Sequence, residues 1–164
     1  RIESRGLGDV YKRQVNDLWA GRYNAFPKIT TFPNYEYDGI IFEGNIPIIS
    51  MCSHHHQTIL GKAHIAYIPQ INQEIIGLSK LNRIVEHYAR RGAIQENLTV
   101  RIHDAINKIV ENNKGVAVMI EASHNCVQCR GVGHQGTSMK TSKLTGEFIK
   151  SNKTRNEFYE FIKS

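Results

Sequence analysis

The sequence predicts an α+β domain in which two strand pairs are separated by a helical hairpin and closed by a last helix. Two observations carry this. The first is strand-like alternation in residues 62–69, KAHIAYIP, and in residues 115–123, GVAVMIEAS, where Val116, Val118 and Ile120 share one face. The second is helical spacing: Leu81, Ile84, Val85 and Tyr88, then, past Gly92, Leu98, Ile102, Ile106, Ile109 and Val110. The chain has 164 residues, 40% of them hydrophobic, which suits one domain with its own core.

The elements follow in order. Residues 1–14, RIESRGLGDVYKRQ, show no apolar period and resemble the translated adaptor sequence found at the ends of unrelated chains. They are read as a leader outside the fold, and residues 15–164 as the domain. Residues 15–20 read as the tail of a helix stopped at Gly21. Residues 23–34 form a connection with Pro27 and Pro33. Residues 37–50 carry β-branched and aromatic side chains on both sides of Gly44 and Asn45, which predicts one bent strand or a hairpin. The strand 62–69 follows. Ser79 is a good N-cap for the next helix, Arg90 and Arg91 suit its last turn, and Gly92 stops it. The second helix is expected over 94–112 and a strand over 115–123. Residues 126–132 are expected as another strand or extended segment, and 137–145 are polar and β-compatible. A closing helix spans 152–162, with Phe158, Phe161 and Ile162 on its apolar side. No internal repeat is present.

Composition narrows the function classes. No apolar run is long enough to cross a membrane. No stretch has the charged, apolar and small-residue order of a secretory signal. Three cysteines, an odd count, argue against a disulfide framework and fit a reducing cytoplasm with free or metal-bound thiols. The net charge of +6 raises nucleic acid or a small polyanion as a partner. Arg1, Arg5, Lys12 and Arg13 outnumber Glu3 and Asp9 by two, so the leader supplies part of that excess.

The chemistry-bearing stretch is residues 51–61, MCSHHHQTILG, in the link between two expected strands. Cys52 and His55 form a C-x-x-H clip, and zinc accepts a mixture of thiolate and imidazole. A third ligand has to come from elsewhere, and the only other cysteines are Cys126 and Cys129 in SHNCVQCRG. Read by spacing, Cys126 and Cys129 make a C-x-x-C clip that would complete a closed Cys₃His site with no place for a catalytic water. The plain alternative is a surface histidine run beside an ordinary buried cysteine.

The segments CSHHH, GKAHIAYIP, IIGLSKLNRIVEHYARR, IQENLT, ASHNCVQCRG and TSMKTSKLTGEF resemble, in this order, GTP cyclohydrolase I. The resemblance runs from about residue 15 to the C-terminus. It implies a tunnelling fold, in which strands of neighbouring subunits join into a β-barrel with helices outside. It implies a toroidal homo-oligomer, a decamer, with active sites between subunits. The implied reaction hydrolyses GTP to 7,8-dihydroneopterin triphosphate and formate, feeding folate, other pterins or 7-deazaguanines. No nucleic acid or membrane partner is implied.

The resemblance also assigns residues. Cys52, His55 and Cys126 hold zinc, which lowers the pKa of a bound water to about 7. His54 and His124 match the catalytic histidines, and an imidazole suits the proton transfer to N7 that eases attack at C8. Glu96, with Gln95 beside it, anchors the guanine by accepting paired N–H donors. Ser79, Lys80, Arg83 and Arg130 match contacts to the triphosphate or ribose. Each has a plainer reading alone: a histidine supporting the clip, a first-turn carboxylate, a solvated charge. The resemblance uses Cys126 without Cys129. In an extended segment, side chains three apart point to opposite faces, so Cys129 is expected to be small, buried or interfacial, and not a ligand.

Three departures from the family pattern stand out. Ser53 replaces a common glutamate, and His56 replaces an apolar residue. The basic T-P-x-R-x-A-K-M run is absent, and the leader occupies its place, so the chain is read as N-terminally truncated. Two rivals remain: a related tunnelling-fold enzyme acting on a pterin or deazaguanine, and a non-catalytic basic zinc module. The second would need a closed metal site and aromatic residues interleaved with basic ones.

Overall fold

A computed structural model describes residues 7–164. Helix α1 (Leu7–Tyr23) comes first among them, followed by the short strand β1 (Thr31–Pro33). Strands β2 (Ile41–Met51) and β3 (Thr58–Ile68) form a hairpin, and β4 (Glu74–Ile76) follows. Then come helices α2 (Leu78–Ala89) and α3 (Gln95–Ile109), strand β5 (Gly115–His124) and the single turn α4 (Asn125–Gln128). Strand β6 (Met139–Leu144), the turn α5 (Glu147–Lys150) and helix α6 (Asn152–Lys163) complete the chain. The main sheet has the order β2-β3-β5-β6 and is antiparallel throughout. Strands β1 and β4 pair separately as a short ribbon.

The alternation of β3 explains the layers. Ile59, Ala63, Ile65 and Tyr67 face α2 and α3, with Val116, Val118 and Ile120 of β5 beside them. Ala66, Ile68, Ala117 and Met119 point the other way, onto Phe148 and Phe158. That second face is covered over only part of its length. Near the β2–β3 turn, the cross-strand partners Ile49 and Leu60 are 48% and 45% exposed.

Several expected boundaries shift, each for a local reason. Of the expected strand or hairpin over 37–50, one bent strand forms from Ile41 on, with its irregularity between Glu43 and Ile46 and Asn45 left-handed at φ 57°. Helix α1 starts ahead of residue 15 and runs through Gly21. Gly21 does not stop it. A Cβ there would lie 2.0 Å from the His87 carbonyl oxygen, so the glycine permits close packing on α2. The leader expectation covers 1–14, of which 1–6 lie outside the described residues and 7–14 belong to α1. Helix α2 is capped by Gly77, and Ser79 lies inside its first turn, because the helix begins as soon as the β4 ribbon ends.

The largest difference is at residues 126–132, which were expected to be extended. They begin instead with the turn α4, closed by the Cys129 N–H donating to the Asn125 carbonyl at 2.9 Å. The ladder explains this. The β3–β5 pairing ends at Ile59↔His124, and beyond it the β5 backbone has no neighbouring strand. Its polar groups close locally instead. The ribbon β1–β4 and the turn α5 were not anticipated; each is too short to show a period. Among the described residues, no helix is long and apolar enough to cross a membrane.

Candidate metal centre and active site

The clip is a tight loop between β2 and β3. The Cys52 N–H donates to the Gln57 carbonyl at 2.8 Å, and the His56 N–H donates to the Cys52 carbonyl at 2.9 Å. This folds residues 52–57 back on themselves, with His56 left-handed at φ 53°. The loop separates its three histidines. His55 brings Nδ1 to 3.8 Å from the Cys52 sulfur. His56 lies against the Trp19 ring, with centroids 5.9 Å apart. His54 stands exposed, its ring perpendicular to that of His55.

Cys126 arrives from the far end of β5. The β3–β5 register places His124 opposite Ile59, and the turn α4 then carries Cys126 back towards the clip. Asn125 fastens that turn by donating its amide to Thr58 at the start of β3. The ligand atoms of Cys52, His55 and Cys126 lie within 4.8 Å of one another. Two sulfurs and one imidazole nitrogen so arranged suit a tetrahedral ion with one position left over. Burial pushes the Cys126 thiol above its usual range, and the adjacent Cys52 adds to the shift. A cation between them would favour the thiolates. Cys129 is exposed in this chain, so it is not buried within one subunit, which leaves the interfacial alternative, and it is not in the group.

His124 is half-buried beside this group. Burial lowers its pKa, against the opposing pull of the Glu96 charge. Its Nε2 lies 2.7 Å from Oε1 of Gln95. Gln95 is the first residue of α3 and Glu96 the second. The parallel bridge Cys52↔Ala93 ties the α2–α3 link to the clip, which is why the start of α3 lies at the metal group. Glu96 is exposed there, while Gln95 is 1% exposed. Arg130 is exposed just past α4, close enough for its charge to bear on Cys126.

Ser79, Lys80 and Arg83 are not brought to this group. They occupy the opening turns of α2, whereas the bridge to the clip lies past its last turn. At about 1.5 Å per residue, the helix separates its two ends by roughly 18 Å. Arg83 lines a different cavity of about 320 Å³ between α1 and α2, with Asn24, His87 and Arg90. One chain thus holds two separate parts of the expected site. The Trp19 shelf for His56 and the Asn125–Thr58 latch were not foreseen from the sequence. Both depend on contacts between residues far apart in the chain.

Known proteins agree with this architecture. The solved archaeosine synthase QueF-Like in its apo form superposes with a TM-score of 0.55 over 68% of this chain and 97% of that one. At 15% identity this likeness speaks for the fold alone, and the fold is the tunnelling α+β fold. GTP cyclohydrolase 1 of Chlorobaculum tepidum is 48% identical over 77% of this chain. The chain spans 55% of that relative's length, and 56% of the corresponding protein of Chlorobium phaeovibrioides. A GTP cyclohydrolase 1 of Pseudomonas syringae pv. tomato is 40% identical over 99% of this chain and 91% of its own length. The family model for GTP cyclohydrolase I matches residues 7–163, which take in every strand and helix that builds the Cys52, His55 and Cys126 group. With its sequence, fold and converging ligand set in agreement, the chain belongs to the GTP cyclohydrolase I family.

Proposed function

We propose that this chain is a zinc-dependent hydrolase that opens the imidazole ring of GTP and yields 7,8-dihydroneopterin triphosphate and formate. The observation that carries this reading is the convergence of Cys52, His55 and Cys126, with His124 beside them. The donor set fits zinc: two thiols and one imidazole, three of the four ligands a tetrahedral ion takes. When bound, zinc would supply a water acidic enough to attack C8 near neutral pH. In this reading Glu96, exposed at the start of α3, accepts N–H bonds from the guanine edge and orients C8 towards the centre. His124 handles the proton at N7, and the exposed His54 serves the later proton transfers of the ribose rearrangement. Arg130 faces the anionic part of the substrate.

Ser79, Lys80 and Arg83 complete the site from a neighbouring copy. Their separation from the metal group within one chain supports a homo-oligomer with sites between subunits, and the family resemblance points to a decamer. No observation favours a closed structural zinc site, because Cys129 stands outside the ligand group.

The test is direct. Purified chain supplied with zinc should convert GTP to formate and a fluorescent pterin. Cys52→Ala, His55→Ala and Cys126→Ala should each lose bound zinc and at least a hundredfold in turnover, about the scale seen when a main catalytic group is removed. Formate release by a metal-free variant at the parent rate would end this reading.

A further inference from the structure

We infer that Gln95 is a positioning residue that fixes the proton on Nε2 of His124 and leaves Nδ1 as the ring nitrogen with a free lone pair. This rests on the reading above, in which His124 is an acting histidine. It moves Gln95 from a guanine contact to a support of that histidine.

The argument is one of hydrogen-bond accounting. Gln95 is 1% exposed, so its amide must find its partners inside the protein. Its Nε2 lies 3.1 Å from the Ile120 carbonyl, 3.0 Å from the Met139 carbonyl and 3.1 Å from Thr141 Oγ1. Carbonyl oxygens only accept, so the NH₂ end must face them. The opposite orientation would set Oε1 against two carbonyl oxygens and leave buried acceptors unpaired, a penalised arrangement. Oε1 therefore faces His124 Nε2 at 2.7 Å, and an oxygen of this kind only accepts. Nε2 must carry a hydrogen. Neutral imidazole has one N–H, so Nδ1 is left with its lone pair and can pass a proton to N7 only after taking one up.

The hydroxyls behind Gln95 are also determined. Thr99 Oγ1 lies 2.9 Å from the Gln95 backbone carbonyl and 2.7 Å from Thr141 Oγ1. Thr99 has one proton, and the carbonyl takes it. Thr141 must then donate to Thr99, which leaves the Thr141 lone pairs to receive the Gln95 amide. The two N–H groups of Gln95 are shared among three acceptors, and every hydroxyl proton in the network has a partner. The network joins α3, β5 and β6, so the tautomer of His124 is set by backbone acceptors on rigid elements. Each polar atom of the Gln95 side chain has a partner inside the protein, and the residue is 1% exposed.

The proposal is tested on the zinc-loaded protein at pH 8, where an ordinary imidazole of pKa about 6.5 is neutral. Nitrogen-15 spectra of selectively labelled histidine, with His124→Gln used to assign the signal, should show His124 protonated at Nε2. Gln95→Leu, which removes the acceptor on Nε2, should mix the two tautomers and lower kcat about tenfold or more with little change in the KM for GTP, as expected from a misoriented catalytic group. Thr141→Val keeps both carbonyl acceptors and should leave the Nε2 proton in place. A wild-type His124 protonated at Nδ1 overturns the inference even if no variant folds. So does a Gln95→Leu protein with an unchanged tautomer, unchanged kcat and raised KM, because that is the behaviour of a guanine contact. Full activity in His124→Gln would sink the role of His124 itself, and the spectra would still report on the network.

Discussion

Cys126 and Cys129 are three residues apart on one turn, yet their surroundings differ. Cys126 sits beside Cys52 and His55, and Cys129 closes the turn in solvent. Cys129→Ala should therefore keep one zinc per chain and most of the parent turnover. Loss of metal from that protein, with metal kept in Cys126→Ala, would reverse the assignment. The three histidines of the clip divide in the same way, with His55 at the sulfurs and His56 on Trp19. Little of this was legible in local spacing. C-x-x-H and C-x-x-C look alike on paper, and it was the family resemblance that singled out Cys126. The exposure of Cys129 depends on where β3 stops offering a partner to β5, which is a property of the sheet.

Helix α1 shows what two glycines do for an element. Gly21 lets α1 lie on α2, and Gly92 turns the α2–α3 link with φ +66° beneath Trp19. A Cβ on Gly92 would lie 2.2 Å from the indole ring. Gly92→Ala combines a disfavoured left-handed backbone with that clash. It should lower the unfolding free energy by about 1–3 kcal/mol, visible as a lower urea midpoint at unchanged slope. A midpoint equal to the parent's would show that α1 is free to shift. The helical hairpin and the central strands were readable because each repeats its apolar period several times. The β1–β4 ribbon and α4 were not, since three or four residues carry no period and their hydrogen bonds are set by distant partners.

Across the whole molecule, buried histidines set the acid side of stability. His64 and His103 are each 1% exposed, on opposite faces of the sheet. Burial is the main cause that lowers both pKa values. Lys62 and Lys140 deepen the shift at His64 against Glu121. At His103 the hydrogen bond to Asp104 opposes it, and Lys143 adds to it. A lowered native pKa means that the unfolded chain binds the proton first. Stability is thus present above the ordinary histidine pKa of about 6.5 and is lost as pH falls from there. Urea midpoints should decline between about pH 7 and pH 5, and the decline should be shallower in His103→Gln. A midpoint constant over that range would contradict the linkage. The order of strands and helices was legible at this scale. The separation of Ser79 and Lys80 from the metal group was not, because it follows from the direction in which α2 runs.

The unbroken ladder from Ile68↔Gly115 to Ile59↔His124 is also a measuring rule. It counts residues from the core to the site, so the length of β5 is not a free variable. One residue inserted or deleted there would turn His124 to the other side of the sheet and carry Cys126 away from its partners. A few positions later the rule lapses. Around Gly133 and Gly136 nothing stands within 4 Å of where a side chain would begin. Within one chain nothing fixes the length of that loop, while the strand leading to it has to keep its number.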